Sequence, residues 1–354
     1  MLQRNQSLDF LRFIAILIVL LSHSDIKCER PYYNLISPGY LGVELFFVLS
    51  GFLVSGLIIN EYTKYKSFNP KLFLIRRGFK IYPSYYIFLT IACVYQYFTH
   101  RFSWKGMLSD AFFLSNYTSY SSRVWFWSLS FEEHFYILLC ILSVILIYYK
   151  KFDFKWILVI YSALLIFSIC FRFYNYTHYQ EDWKRDFQMT HGRLDSIFFG
   201  VVIYLSFFTQ NKLFKFLMRY KKIILTTSLL IIISNYIFLR DYRILNLIYL
   251  SLNSIAFGFV ILILMNGKYL EHNKMIRRLA YLGQFSYSIY LIHPALGVIA
   301  QRIHLIFKSE ILYLPIYLLI CFITGIAFSK IVEYPFLSLR DRYFPSRSKI
   351  TLSN

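Results

Sequence analysis

Apolar runs of about 17 to 25 residues recur along the whole chain, and that recurrence leaves few folds open. In a bilayer such a run must satisfy its backbone hydrogen bonds internally, which it does as a helix. The runs are continuous and not the alternating ten-residue segments of a membrane β-barrel. With 58% hydrophobic, 21% aromatic and only 16% charged residues among 354, the chain is too apolar for one soluble domain of its length. The expected fold is all-α, a polytopic membrane bundle of ten spans. They lie near residues 8–24, 39–60, 81–98, 128–149, 154–173, 192–209, 222–240, 244–266, 283–305 and 311–332. Spans and connections form one transmembrane domain over 1–335, with 336–354 as a short basic tail.

Basic residues fall in every second connection. The predicted inner loops hold Lys64, Lys66, Lys71, Arg76, Arg77 and Lys80; Lys150, Lys151 and Lys155; Lys212, Lys215, Arg219, Lys221 and Lys222; and Lys268, Lys274, Arg277 and Arg278. With Arg4, Arg340, Arg342, Arg347 and Lys349 this makes about 23 basic residues inside against about 11 outside, which places both termini in the cytoplasm. The net charge of +20 is thus a set of short clusters between apolar runs and not a nucleic-acid-binding patch. The first run has no A-x-A-like cleavage site and reads as a span, not a signal peptide. Five cysteines show no CxxC or metal-ligand spacing, so neither a disulfide framework nor a zinc site is expected.

Polar residues inside apolar runs need a reason. Leu8 to His23, LDFLRFIAILIVLLSH, carries Asp9, Arg12 and His23. Arg12 and His23 are close to three helical turns apart, on one face and separated by roughly 16 Å. The topology sorts the other unusual residues into two groups. The outer one holds His23, Glu44, Glu132, Glu133, Arg193 and Asp195, and suits acid–base work. The inner one holds Arg12, Arg76, Arg77, Lys80 and Glu333, and suits phosphates. Plainer explanations stand beside these: a positive-inside anchor for the inner cations, surface solvation for the outer carboxylates, and an i,i+3 pair for Asp9 and Arg12. Glu132 lies one turn after Ser128 at a helix entry, which weakens solvation as its explanation.

Three further features have two readings each. Ser286, Tyr290 and His293, extended by Gly297 and Gln301, form a polar stripe that either lines a channel or bonds neighbouring helices, the second being favoured. Trp125 and Trp127 precede Glu132 and serve either to stack on a sugar or to anchor the interface. Residues 69–80 mix cations with apolar residues, as in a surface helix before Pro83 opens the third span; the cations would face a nucleotide or anionic lipid.

Seven stretches then fall in a familiar order: LDFLRFIAILIVLLSH, GYLGVELFFVLSGFL, FLIRRGFKIYPSYY, FWSLSFEEHFYILL, GRLDSIFFGVVIY, FSYSIYLIHPAL and EYPF. In them the chain resembles acyltransferase family 3, the bacterial membrane O-acyltransferases of cell-surface sugars. Arg12 and His23 match the family's R-x10-H. Its R-x-x-R appears as Arg77 and Lys80, the aspartate of its second span as Glu44, and its Glu-Glu-Gln as Glu132, Glu133 and His134. With about 20 residues after the last span, no SGNH-type domain of the kind fused to some relatives is expected.

The resemblance implies transfer of an acyl group, most often acetyl, from cytoplasmic acetyl-CoA to a hydroxyl of a cell-surface glycan such as LPS O-antigen, in a bacterial inner membrane. It implies His23 as general base or as acyl-carrying nucleophile, Glu132 as the carboxylate orienting it, and Arg12 guiding the donor's arm. Glu132 and Glu133 point about 100° apart on a helix, so only one can serve. Arg77 and Lys80, with Arg76 nearby, would hold the phosphates. Trp127, Glu133, Arg193 and Asp195 would face the acceptor, and no metal is implied. The competing function is a transporter or flippase of a lipid-linked glycan, opposed by the absence of a convincing internal repeat. A catalytically silent partner in polysaccharide assembly is a third possibility.

Overall fold

The computed structural model describes residues 5–24, 39–118, 125–179, 187–238, 246–267, 273–307 and 310–348. Arg4, Lys268 and Lys349, counted above among the inner cations, lie outside them, as does the side chain of Gln301. Among the described residues every regular element is helical: α1 (Gln6–Ser22), α2 (Gly39–Tyr65), α3 (Pro70–Phe98), α4 (Trp104–Ala111), α5 (Phe126–Tyr148), α6 (Phe154–His178), a short 3-10 turn (Thr190–Gly192), α7 (Leu194–Thr209), α8 (Lys212–Arg219), α9 (Lys221–Phe238), α10 (Asn246–Asn266), α11 (Lys274–Gly283), α12 (Ser286–Phe307), α13 (Glu310–Phe328), a π turn (Ser329–Glu333) and α14 (Tyr334–Tyr343). Several helix starts are written in the sequence. Asn5, Asn69, Asp153 and Asn211 each accept from a backbone N–H three residues on, at 3.1, 2.9, 3.0 and 3.1 Å, which satisfies donors a helix leaves open at its start.

The described part of each of the ten expected segments overlaps one of these helices. By length and hydropathy alone, five helical segments among the described residues suffice to cross a membrane: Gly39–Tyr65, Phe126–Tyr148, Phe154–His178, Leu247–Asn266 and Tyr313–Tyr343. A sixth is added if α7 and α8, bent by 88° at their junction, count as one. These support a multi-pass membrane protein.

Helix α2 forms the middle of the bundle and is buried over most of its length. It packs most extensively on α7 and on α1. At the α2–α7 crossing Gly51 and Gly200 face each other, and a Cβ on Gly51 would overlap the carbonyl oxygen of Ile197. Small residues at such a crossing let two backbones approach closely where lipid offers no hydrophobic drive for association. In contrast, α6 exposes Ile166, Phe167, Phe173 and Tyr174, as a lipid-facing helix does.

Two local expectations change. Pro83 does not open a span: α3 runs unbroken from Pro70 to Phe98 with Pro83 inside it, so residues 69–80 are the first turns of a long helix and not a separate surface helix. Near the proline the Tyr287 hydroxyl of α12 donates to the Ile81 carbonyl at 2.8 Å, tying α12 to α3. The basic tail also folds back. Arg76 of α3 bonds Asp341 at 2.9 Å and the Phe344 carbonyl, docking α14 on α3.

Candidate active site

A cavity of about 200 Å³ lies between α1, α2, α3, α5 and α12. Its α2 wall runs from Val43 to Leu53, ten positions apart and so about 15 Å along the axis. Helices α1 and α2 are antiparallel, because Gly39 faces Ser22 and Gly42 faces Ala15 and Val19. One end of the cavity therefore lies beside Arg12, and the other approaches the end of α1 that carries His23. Arg12, Arg77, Lys80 and Glu132 line it together with Ser50, Tyr136, Ser128 and Tyr290. Its volume is below the roughly 300–1,000 Å³ of sites for drug-sized ligands, which suits a slender group.

The cations at the Arg12 end differ in their engagement. Lys80 is paired with Glu333, whose other oxygen accepts from Ser288 at 2.8 Å and Ser329 at 3.0 Å. Arg76 is held by Asp341, and Arg12 by Asp9 at 3.1 Å. Arg77 has no carboxylate within ion-pair distance among the described residues. Its guanidinium lies 5.9 and 5.6 Å from the ring centres of Phe73 and Tyr136. Of the three residues expected to hold phosphates, Arg77 alone thus faces the cavity without a carboxylate already bound to it.

Glu132 lines the same cavity as Arg12 and Arg77. It lies six residues inside α5, roughly 9 Å from the helix start, where it faces Arg12 and Arg77. Its Oε2 accepts from the Tyr136 hydroxyl at 2.6 Å, and that hydroxyl also meets Ser50 Oγ at 2.6 Å. His23 does not line the cavity and its described partners do not include Glu132. Its Nδ1 is 2.9 Å from the Val19 carbonyl and 3.1 Å from Ser22 Oγ, and its ring meets that of His293. The structure joins the two through α12. Tyr290 reaches into the cavity, its hydroxyl 2.6 Å from Ser128 Oγ, and its ring is 5.5 Å from that of His293. The stripe favoured above as interhelical glue lines the cavity at Ser286 and Tyr290 and leads to the histidines.

Glu133, one position on, points away as the helix geometry requires: it accepts from the Tyr82 hydroxyl of α3, and its Oε2 is buried without a partner among the described residues.

The remaining residues expected to face an acceptor are interior. Arg193 is fully buried, pairs with Glu44, donates to the Phe187 carbonyl at 3.0 Å and sits among the rings of Phe187, Phe47 and Trp127. Ser254 donates to the other oxygen of Glu44. Asp195 pairs with fully buried Arg172 at 2.9 Å and accepts from Ser251. Trp127 is 6% exposed and stacks in the core. Such groups tie α2, α6, α7 and α10 together; in hydrocarbon each charge needs its partner inside the protein. Tyr136 and Ser50 were not anticipated. Tyr136 had a signal, four residues after Glu132 and so on the same face, whereas Ser50 reaches the site only because α2 packs on α5.

A family model described as an acyltransferase domain, of the acyltransferase-3 family, matches residues 5–330. The peptidoglycan O-acetyltransferase OatA of Listeria monocytogenes (serovar 1/2a, strain EGD-e) is 29% identical over 149 residues, covering 37% of this chain and 23% of that protein. The O-acetyltransferase OatA of Staphylococcus aureus (strain NCTC 8325) is 29% identical over 150 residues, again 37% and 23%. A protein provisionally named an O-acetyltransferase in Staphylococcus aureus (strain COL) is 28% identical over 212 residues, 55% of this chain and 34% of its own. The aligned stretches thus span about a quarter to a third of these relatives' lengths. No solved structure matches.

Proposed function

The chain belongs to the acyltransferase-3 family, and from that membership we propose that it is a membrane O-acyltransferase that carries an acetyl group from acetyl-CoA to a hydroxyl of a cell-envelope glycan. The observation that supports this best is the narrow cavity lined by Arg77, which has no ion-pair partner among the described residues, and by Tyr290, whose ring lies against that of His293. We place it in a bacterial inner membrane with ten spans, both termini cytoplasmic, and the Arg77 end toward the cytoplasm. Family membership favours this reading over a transporter or flippase.

Acetyl-CoA would supply an acyl thioester, whose carbonyl carbon is open to attack. Arg77, with Lys80 and Arg76 at the rim, would hold the donor's phosphates, because a guanidinium offers several donors to phosphate oxygens. Arg12 would steady the thioester-bearing arm, and Glu132, held by Tyr136, would balance the cationic end. His23 would act as general base at Nε2, because its Nδ1 hydrogen is committed to the Val19 carbonyl. It would take the hydroxyl proton as the acceptor oxygen attacks and return it to the departing sulfur. We propose no metal in this chemistry. For the acceptor, the resemblance points to LPS O-antigen, while the printed name of the Listeria relative favours peptidoglycan as a second reading.

The test is mass spectrometry and NMR of both polymers from cells with and without the gene, complemented by wild type, His23→Ala or Arg77→Ala. The polymer that loses one acetyl mass per repeat is the acceptor; loss of the whole polymer instead would favour transport. His23→Ala should abolish transfer with protein still in the membrane. Arg77→Ala should raise the KM for acetyl-CoA, and an unchanged KM would remove Arg77 from the donor site.

A further inference from the structure

His23 sits edge-on to His293, with ring centres 4.9 Å apart and planes at 76°. The two come from opposite parts of the chain: His23 caps α1, and His293 lies within α12 just before Pro294. Each ring has one nitrogen committed to a carbonyl. Nδ1 of His23 lies 2.9 Å from the Val19 oxygen, and Nδ1 of His293 lies 2.7 Å from the Tyr290 oxygen. A carbonyl only accepts, so both Nδ1 atoms carry the hydrogen and both Nε2 atoms present a lone pair in the neutral rings.

His293 is fully buried, and its Nε2 has no hydrogen-bond partner among the described residues. Buried polar atoms are nearly always bonded, so an orphan of this kind asks for an explanation. Among the described residues, the imidazole against it is that of His23, which can supply a hydrogen once it has taken a proton. His23 is exposed at the end of its helix, so its ring can tilt toward a partner that is fixed.

We propose that His293 is the positioning residue for His23, its buried Nε2 accepting from the protonated His23 ring in the place expected for a carboxylate. The proposal rests on the reading of His23 as the base. As the acceptor oxygen bonds to the acyl carbon, its proton moves to Nε2 of His23. As the carbon–sulfur bond breaks, the same proton passes to the thiolate and leaves as the thiol. Between these events the positive charge lies on a ring whose N–H has an acceptor, and the pair ends the cycle neutral. The arrangement differs from a triad, whose third group binds the ring nitrogen opposite the one that moves the proton: here Nδ1–H stays on the Val19 carbonyl, and the second imidazole accepts the Nε2–H itself while the proton is in transit.

The test uses the full-length protein in membranes with His293→Gln, His293→Asn and His23→Ala, reading kcat and the KM for acetyl-CoA. Asn can replace the Nδ1–H bond to Tyr290 but does not reach Nε2, whereas Gln places an amide near Nε2. A purely structural His293 predicts that Asn does at least as well as Gln. The proposal predicts that Gln retains most of kcat while Asn loses about tenfold or more, part of the roughly 10²–10⁴ a general base supplies, with KM unchanged in both. Equal rates for Gln and Asn, or losses that track the amount of folded protein, overturn it. An active His23→Ala would instead remove the base reading itself, and an inactive His23→Ala with wild-type kcat in His293→Asn would remove this inference alone.

Discussion

Substituting Arg193 by Met leaves the Glu44 carboxylate in the bundle interior with Ser254 as its remaining described donor. The reverse change, Glu44→Leu, leaves the Arg193 guanidinium with the Phe187 carbonyl and three aromatic faces. Both groups are fully buried, so each single change strands a charge, at a cost of about 3–5 kcal/mol. The double variant strands none. Its main debt is the Phe187 carbonyl, worth roughly 1–3 kcal/mol when left unbonded, because Ser254 still donates to the Leu250 carbonyl at 2.8 Å. The double variant should therefore be more stable than either single one, with a coupling of more than about 3 kcal/mol, at or beyond the upper end for neighbouring residues. Unfolding in mixed micelles, followed by tryptophan fluorescence and circular dichroism, measures all four proteins; Trp127 lies beside Arg193 and reports locally. Additive costs would refute the reasoning, and so would single variants as stable as wild type that lose only acceptor affinity, since these residues would then be substrate contacts and not ties between helices.

Three further outcomes are expected. Gly51→Ala should destabilise by about 1–3 kcal/mol or more, because the new Cβ meets the Ile197 backbone, whereas Gly297→Ala, with no described atom within 4 Å of its Cβ, should match wild type in the same micelle titration. Lys80→Met leaves Glu333 with two hydroxyls only; as Lys80 is about a third exposed, the loss should be near 1–2 kcal/mol, and a neutral result would show that the hydroxyls alone suffice. Tyr136→Phe removes the 2.6 Å bond to Glu132 and should lower kcat roughly tenfold, as one charge-assisted hydrogen bond of about 1.5–3 kcal/mol is lost; unchanged kinetics would take Glu132 out of the cavity's working charge.

Residue order alone determined the all-helical class of fold and named several of the residues that line the cavity. A bilayer forces a long apolar run into a helix, and the caps at Asn5, Asn69, Asp153 and Asn211 are local signals read within four residues. Likewise Arg12 and His23 follow from helical spacing on a single element. Which residues meet across elements was not legible. Loop charge sorted Glu132 with His23, but depth within α5 and the packing of α5 on α2 set it against Tyr136, Ser50 and Arg77. The same holds for Glu44, Arg193 and Asp195, which look like outer-face polar groups in the sequence and become buried pairs once α2, α6, α7 and α10 close around them. The meeting of His23 with His293 depends on where α12 crosses the end of α1, 270 positions further along the chain. Periodicity and hydropathy are properties of one segment, whereas charge partners are chosen by the packing of several, and in a medium that solvates no ion the packing decides which polar residue ties helices together and which stays available for chemistry.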